Sequence, residues 1–136
     1  MGDFDIVYQG NVLALYYQVA MLDARAKESY PEWKTGEESV IFGLHGVAVA
    51  TAGDQEIEVL VCRGKGNPEH VLCVSGEIIV SSDQGIIVGN VPAANTTSIS
   101  LQRGIYSVTV YTNGIRTEAT RVYFFIEFLT PLKKVL

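Results

Sequence analysis

The sequence predicts an all-β fold, an antiparallel two-sheet β-sandwich of about eight or nine strands in a single domain spanning residues 1–136. Three observations predict this fold. Apolar and polar residues alternate with a period of two along most of the chain. Turn-forming residues interrupt the alternation about every 8–12 residues. A chain of 136 residues is also long enough to bury one core.

The alternation assigns the strands in order along the chain. They are predicted at residues 4–9, 12–22, 39–52, 56–63, 71–81, 85–91, 97–102, 105–112 and 119–129. In residues 105–112, Tyr106, Val108 and Val110 share one face, which is the pattern of a half-buried strand. The corner at 53–55 is predicted to close a hairpin, and similar corners follow at 82–85, 103–104 and 113–114.

The second predicted strand has an alternative. Asn11 could cap a helix that runs on through residues rich in Ala, Leu, Met, Gln and Lys. Against a helix, the apolar positions from Leu13 to Met21 alternate without exception. We therefore expect a strand, with any helix confined to residues 23–29.

One longer loop, residues 23–38, separates the second strand from the third, and it combines aromatic side chains with carboxylates. Trp and Tyr offer large rigid contact surfaces to protein partners. The predicted partner-binding residues are Tyr30, Glu32, Trp33, Glu37 and Glu38. In the alternative interpretation, Trp33 folds back and plugs one end of the sandwich.

The last strand is apolar on both faces. Val122, Phe124, Ile126 and Phe128 alternate with a second set of mostly apolar positions. That second face predicts an oligomer interface, because an exposed apolar strand invites association. The interface residues would be Tyr123, Phe125, Glu127 and Leu129. A central strand of a covered sheet would show the same pattern.

Reactive side chains are few. Cys62 and Cys73 would face each other in a hairpin centred between Asn67 and Pro68, although in a reducing compartment two free thiols are expected. His45 and His70 are far apart in sequence, and strand alternation would point His70 and Cys73 to opposite faces. The sequence therefore predicts no catalytic residue, no metal site and no cofactor.

Charge and composition narrow the class of function. Ten basic and fifteen acidic residues give a net charge of −5, which disfavours nucleic-acid binding. The N-terminal region lacks the features of a secretory signal, and no stretch is apolar enough for a membrane span. These features predict a cytoplasmic protein.

The order of residues resembles the competence protein J family, small bacterial β-proteins whose founding member inhibits the competence nuclease. The likeness rests on LYYQVAM near the start, Trp33 about fifteen residues on, VIFGLHGVAVAT, EIEVLV and the late SISLQRGIYSVTVYT. It implies a non-enzymatic protein that binds and restrains another protein, with a nuclease as the implied target.

Three functions are consistent with the sequence. The first is a non-enzymatic protein-binding module, of the inhibitor or immunity type, that acts on a basic partner such as a nuclease. The second is a small-molecule-binding protein or enzyme with a pocket, lined by Tyr and His, at one end of the sandwich. The third is an oligomeric structural subunit.

Overall fold

The computed structural model describes residues 4–25, 30–90 and 96–132, which form ten strands in two five-stranded sheets. The strands are β1 (Phe4–Leu13), β2 (Gln18–Asp23), β3 (Val40–Phe42), β4 (Gly46–Ala50), β5 (Glu56–Gly64), β6 (Leu72–Val80), β7 (Ile86–Gly89), β8 (Thr96–Ile99), β9 (Gly104–Thr112) and β10 (Arg121–Pro131). Short 3-10 turns precede β2 at Leu15–Tyr17 and β10 at Arg116–Glu118. The predicted all-β sandwich is confirmed.

The first sheet has the strand order β1-β5-β10-β9-β6, and the second has the order β3-β4-β2-β7-β8. Neighbouring strands are antiparallel with one exception, the parallel pair β5 and β10. The predicted antiparallel pairing therefore holds for every pair of neighbouring strands except this one.

The core lies between the sheets and contains the inward positions of the alternating segments. The first sheet contributes apolar side chains from β5, β9 and β10, and the second contributes them from β2, β4 and β7. The largest fully buried side chains include Phe124, Met21, Ile57, Ile86 and Ile126. The predicted faces of β9 and of the first half of β10 are confirmed, because Tyr106, Val108, Val110, Val122 and Phe124 all belong to this core.

Several predicted hairpins are crossings between the sheets instead. Residues 53–55 connect β4 of the second sheet to β5 of the first, and residues 82–85 connect β6 to β7 in the same way. The corner at 103–104 connects β8 to β9, again across the core. Of the four predicted corners, only the one at 113–114 connects two strands that pair with each other, β9 and β10. A strand-turn-strand pattern in the sequence fits a hairpin and a crossing equally well, because a short turn can return the chain within one sheet or carry it to the opposite sheet.

The predicted pairing of Cys62 with Cys73 is wrong. β10 and β9 lie between β5 and β6, so that Cys62 is aligned with Phe125 and Cys73 with Tyr111. Three strand spacings separate the two cysteines by about 14 Å, which is beyond the reach of a disulfide. Both thiols are free, Cys62 buried and Cys73 exposed.

Two predicted strands are interrupted. The predicted strand 12–22 breaks after β1, because Tyr16 and Tyr17 have left-handed backbone angles, with φ of 58° and 59°. The predicted strand 39–52 is a hairpin of β3 and β4, closed by a hydrogen bond from Gly43 N to Gly46 O. Residues 18–23 form a strand and not a helix, whereas residues 26–29 lie outside the described residues.

Candidate functional site

The long loop between β2 and β3 lies against the outer face of the second sheet. Its described part, residues 30–39, is called here the acidic-aromatic loop. Tyr30 and Trp33 are half-buried and pack against an apolar cluster formed by Ala20, Leu22, Ala48 and Ile87. Trp33 therefore does fold back onto the sandwich, but it covers the face of a sheet and does not plug one end.

Gln18, the first residue of β2, anchors both aromatic side chains of the loop. Its Oε1 atom accepts hydrogen bonds from the Tyr30 hydroxyl at 2.5 Å and from Trp33 Nε1 at 2.8 Å. Burial raises the pKa of the Tyr30 hydroxyl well above its usual value, so this donor keeps its proton at neutral pH. The two features behind the family resemblance, the aromatic–Gln segment and the Trp fifteen residues later, are thus joined by one hydrogen bond.

Glu38 closes the tip of the loop. Its Oε2 accepts from Lys34 N at 2.7 Å, and its Oε1 accepts from Thr35 N at 3.0 Å and Thr35 Oγ1 at 2.7 Å. These bonds, above all that from the Thr35 hydroxyl, lower the pKa of Glu38 to about 2 because they favour the ionised carboxylate. Glu38 therefore fixes the loop conformation at neutral pH.

Glu32 and Glu37 differ from Glu38 in their surroundings. Both side chains are exposed, and neither carboxylate forms a hydrogen bond or ion pair with another described residue. Of the five residues predicted to bind a partner, Tyr30, Trp33 and Glu38 thus hold the loop in place. Glu32 and Glu37 are left to present negative charge to solvent.

A pocket of about 310 Å³ lies beside the loop and brings in residues that the sequence did not single out. Its walls include Tyr16, Tyr17, Trp33, Glu38, Arg116 and Thr117. It is called here the Arg116 pocket. Tyr16 is 76% exposed and Tyr17 is 52% exposed, which is unusual for two adjacent large aromatic residues.

The backbone is strained around this pocket. Among the described residues, four non-glycine residues have a left-handed φ, namely Tyr16, Tyr17, Asp54 and Arg116. Three of them line the pocket. Gly53, beside Asp54, also lies against the Tyr17 ring, and a Cβ atom at this position would collide with that ring. Such conformations cost roughly 1–3 kcal/mol each and are concentrated at functional sites in proteins.

Arg116 connects the pocket to the loop. Its Nη2 atom donates to the Gly36 carbonyl at 2.7 Å, which joins the 3-10 turn before β10 to the tip of the acidic-aromatic loop. The side chain is half-buried, and no carboxylate among the described residues lies within ion-pair distance of it. The remaining guanidinium donors therefore have no described anionic partner.

The predicted oligomer interface lies on the outer face of β10, the central strand of the first sheet. Phe125 is only 6% exposed, because the rings of Phe4 and Tyr111 pack edge-on against it with centroids 5.1 and 5.4 Å away. Tyr123 and Glu127 are half-buried, and Leu129 is exposed. The central-strand interpretation accounts for Phe125, and an interface at the other three positions stays a prediction.

The two histidines have separate surroundings. His45 Nδ1 lies 2.9 Å from the Ile79 carbonyl and 3.6 Å from the buried carboxylate of Asp23. That carboxylate also accepts hydrogen bonds from the Ser81 amide and hydroxyl, both at 2.6 Å. Within the described ranges, no three His, Cys, Asp or Glu side chains are grouped so that they could hold a metal ion.

His70 lies at the edge of a second pocket, of about 460 Å³, with its ring 4.8 Å from that of Tyr111. Cys73 also contacts Tyr111, and together with burial, the larger cause, it raises the pKa of that tyrosine. His70 and Cys73 were predicted to point to opposite faces of one strand, but His70 precedes β6, which begins at Leu72, and both side chains contact Tyr111.

Comparisons with known proteins identify the fold. No protein-family model and no curated protein matches the chain. The solved structure of ComJ from Bacillus subtilis, an inhibitor of the DNA degrading activity of NucA, aligns with a TM-score of 0.73 over 93% of this chain and 99% of ComJ, at 11% identity. The crocagin biosynthetic gene J protein aligns with a TM-score of 0.55 over 90% of this chain and 97% of its own, at 10% identity. In the described part of the chain, no helix is long and apolar enough to cross a membrane. The alignment with ComJ spans nearly the whole chain, and the chain therefore has a ComJ-like fold, as the sequence resemblance predicted.

Proposed function

We propose that this chain is a non-catalytic protein that binds, and thereby restrains, a basic protein partner through the acidic-aromatic loop. A nuclease is the partner class that the fold comparison favours, because ComJ inhibits the DNA degrading activity of NucA. The acidic-aromatic loop and the neighbouring Arg116 pocket would together form the contact surface for this partner.

The fixed conformation of the loop is the observation that carries the proposal. Gln18 holds its aromatic side chains and Glu38 closes its tip, so the exposed carboxylates are presented on a rigid frame. A surface that is ordered before binding loses less conformational entropy on association. Nothing in the packing of the sandwich requires Glu32 or Glu37 to be acidic, since both point into solvent.

The overall charge supports a basic partner. A net charge of −5 attracts cationic surfaces and accelerates their association. Nuclease active sites bind a polyanion and therefore carry positive charge around the cleft. A rigid acidic surface could occupy such a cleft and exclude DNA from it.

The experiment reverses the two free carboxylates. The protein is used to capture its partner from cells of its own source, the partner is purified, and its Kd is measured at several salt concentrations. Glu32→Lys with Glu37→Lys is expected to weaken binding about tenfold or more at low salt, and less at high salt.

The matched control is Glu69→Lys with Glu77→Lys. These residues are also exposed and lie on the first sheet or its adjoining loop, so the net charge changes by the same amount. Equal effects from both pairs would mean that the loop has no special part in binding. If no stable partner is captured, or if its DNA degrading activity is unaffected in the complex, the proposed function is wrong.

A further inference from the structure

The Arg116 pocket has a feature that an acidic surface alone does not explain. It places one half-buried guanidinium among aromatic side chains in a chain with an excess of negative charge. We propose that this pocket receives the carboxylate of an Asp or Glu side chain from the protein partner. This inference rests on the proposed function in so far as it takes the occupant to be part of a protein.

The hydrogen bonding of Arg116 is incomplete. One nitrogen donates to the Gly36 carbonyl, and no described carboxylate pairs with the group. When a partner covers the pocket, the water that now solvates the guanidinium is displaced. A desolvated cation is strongly destabilising unless an anion replaces that water. The partner therefore has to supply an acceptor with negative charge.

Glu38 lines the same pocket but does not fill this role. Both of its oxygen atoms already accept hydrogen bonds from Lys34 and Thr35 in its own loop. Its lowered pKa keeps it ionised, so its position in the loop is maintained at neutral pH. The guanidinium donors of Arg116 that have no acceptor among the described residues are available to a second carboxylate, which a guanidinium binds with two parallel hydrogen bonds.

The walls of the pocket suit a protein side chain. Tyr16, Tyr17 and Trp33 are of the residue types, with Arg, that dominate binding energy at protein interfaces. The left-handed φ of Tyr16 and Tyr17 turns the chain sharply between β1 and β2 and leaves both rings exposed. A small free ligand would leave most of the Tyr16 ring in water, whereas an interface covers it. This favours a side chain on a partner surface over a free anion.

The arrangement also gives specificity. An acidic surface attracts any basic protein, but a partner without a carboxylate opposite Arg116 leaves that cation unpaired and is disfavoured. The outward carboxylates Glu32 and Glu37 would attract the partner, and Arg116 would fix its register.

The test uses the purified full chain and does not need the partner. Amide and side-chain N–H signals are followed by NMR during titration with N-acetyl-aspartate α-amide, whose only carboxylate is that of the side chain, with N-acetyl-lysine amide and with inorganic phosphate. N-acetyl-aspartate α-amide is expected to shift the Nε–H of Arg116 and the indole N–H of Trp33 in a saturable way, with a Kd in the millimolar range.

Variants identify the site. Arg116→Gln is expected to abolish the saturable shift, and Arg116→Lys, which keeps the charge but loses the planar fork, is expected to weaken it. The control is Arg103→Gln, which removes the same type of charge from an arginine that pairs with Asp83 and does not line the pocket; this variant should bind as the unaltered chain does. The amide spectra of the variants report whether each is folded.

Three results would overturn the inference. They are tighter binding of the lysine probe, tighter binding of phosphate than of the carboxylate, and no saturable shift with any probe. Because the titration is independent of partner capture, the inference and the proposed function can fail separately.

Discussion

Replacement of Gln18 by leucine tests how the acidic-aromatic loop is held. The change keeps a side chain of similar size but removes the acceptor of the hydrogen bonds from Tyr30 and Trp33. Each bond contributes about 0.5–1.5 kcal/mol, so the loss of both should lower the free energy of docking the loop by about 1–3 kcal/mol. We expect a loop that separates from the outer face of the second sheet in a substantial fraction of molecules.

Trp33 reports this directly, because it is the only tryptophan in the chain. In Gln18→Leu the fluorescence emission of Trp33 should shift to longer wavelength, and its indole ring should become more accessible to quenching by iodide. Urea unfolding followed by circular dichroism should show a free energy of unfolding reduced by no more than the same 1–3 kcal/mol. The control is Gln102→Ala, in which an exposed side chain is lost while its main-chain carbonyl still accepts from Tyr106. Unchanged emission and quenching in Gln18→Leu would refute the anchoring role.

Three further predictions follow from burial and hydrogen bonding. Because the pKa of Glu38 falls from 4.5 to about 2 on folding, its contribution to loop stability should be complete above pH 4.5 and lost as the pH falls through about 2. Glu38→Gln should therefore differ from the unaltered chain in Trp33 emission at pH 7, and this difference should shrink steadily as the pH is lowered from 4.5 toward 2. Burial raises the pKa of the Cys62 thiol to about 11, so a thiol reagent at pH 8 should modify Cys73 rapidly and Cys62 only on unfolding; equal rates would contradict the structure. Phe124→Ala should reduce the free energy of unfolding by about 3–5 kcal/mol in a urea titration, and a loss below 1 kcal/mol would mean that this ring is not in the core.

The positions of the strands could be predicted from the sequence, because a buried face imposes a period of two on each strand. The pairing of the strands could not, since residues 53–55 and 82–85 have turn chemistry that serves a hairpin and a crossing equally well. Sheet membership depends on contacts far apart in sequence, such as the parallel pairing of β5 with β10. The break at Tyr16 and Tyr17 was also missed, because neither Gly nor Pro marks it and the alternation continues through it.

The candidate site was predictable only in part. The acidic-aromatic composition of the loop was visible, and the spacing of Thr35 and Glu38 is that of a capping box, which would have indicated that Glu38 closes the tip. The role of Gln18 required knowledge that the loop folds over β2. Arg116 carried no local signal at all, since 80 residues separate it from Gly36, the residue it contacts.

The most direct test of the central claim is hydrogen exchange of the complex with its purified partner. If the acidic-aromatic loop and the Arg116 pocket form the contact surface, exchange should slow at residues 32–38 and 115–118 relative to the free chain. The amides of β10 on the first sheet should be unaffected. Protection confined to β10 and its outer face, with the loop unchanged, would contradict the account and favour association through that strand.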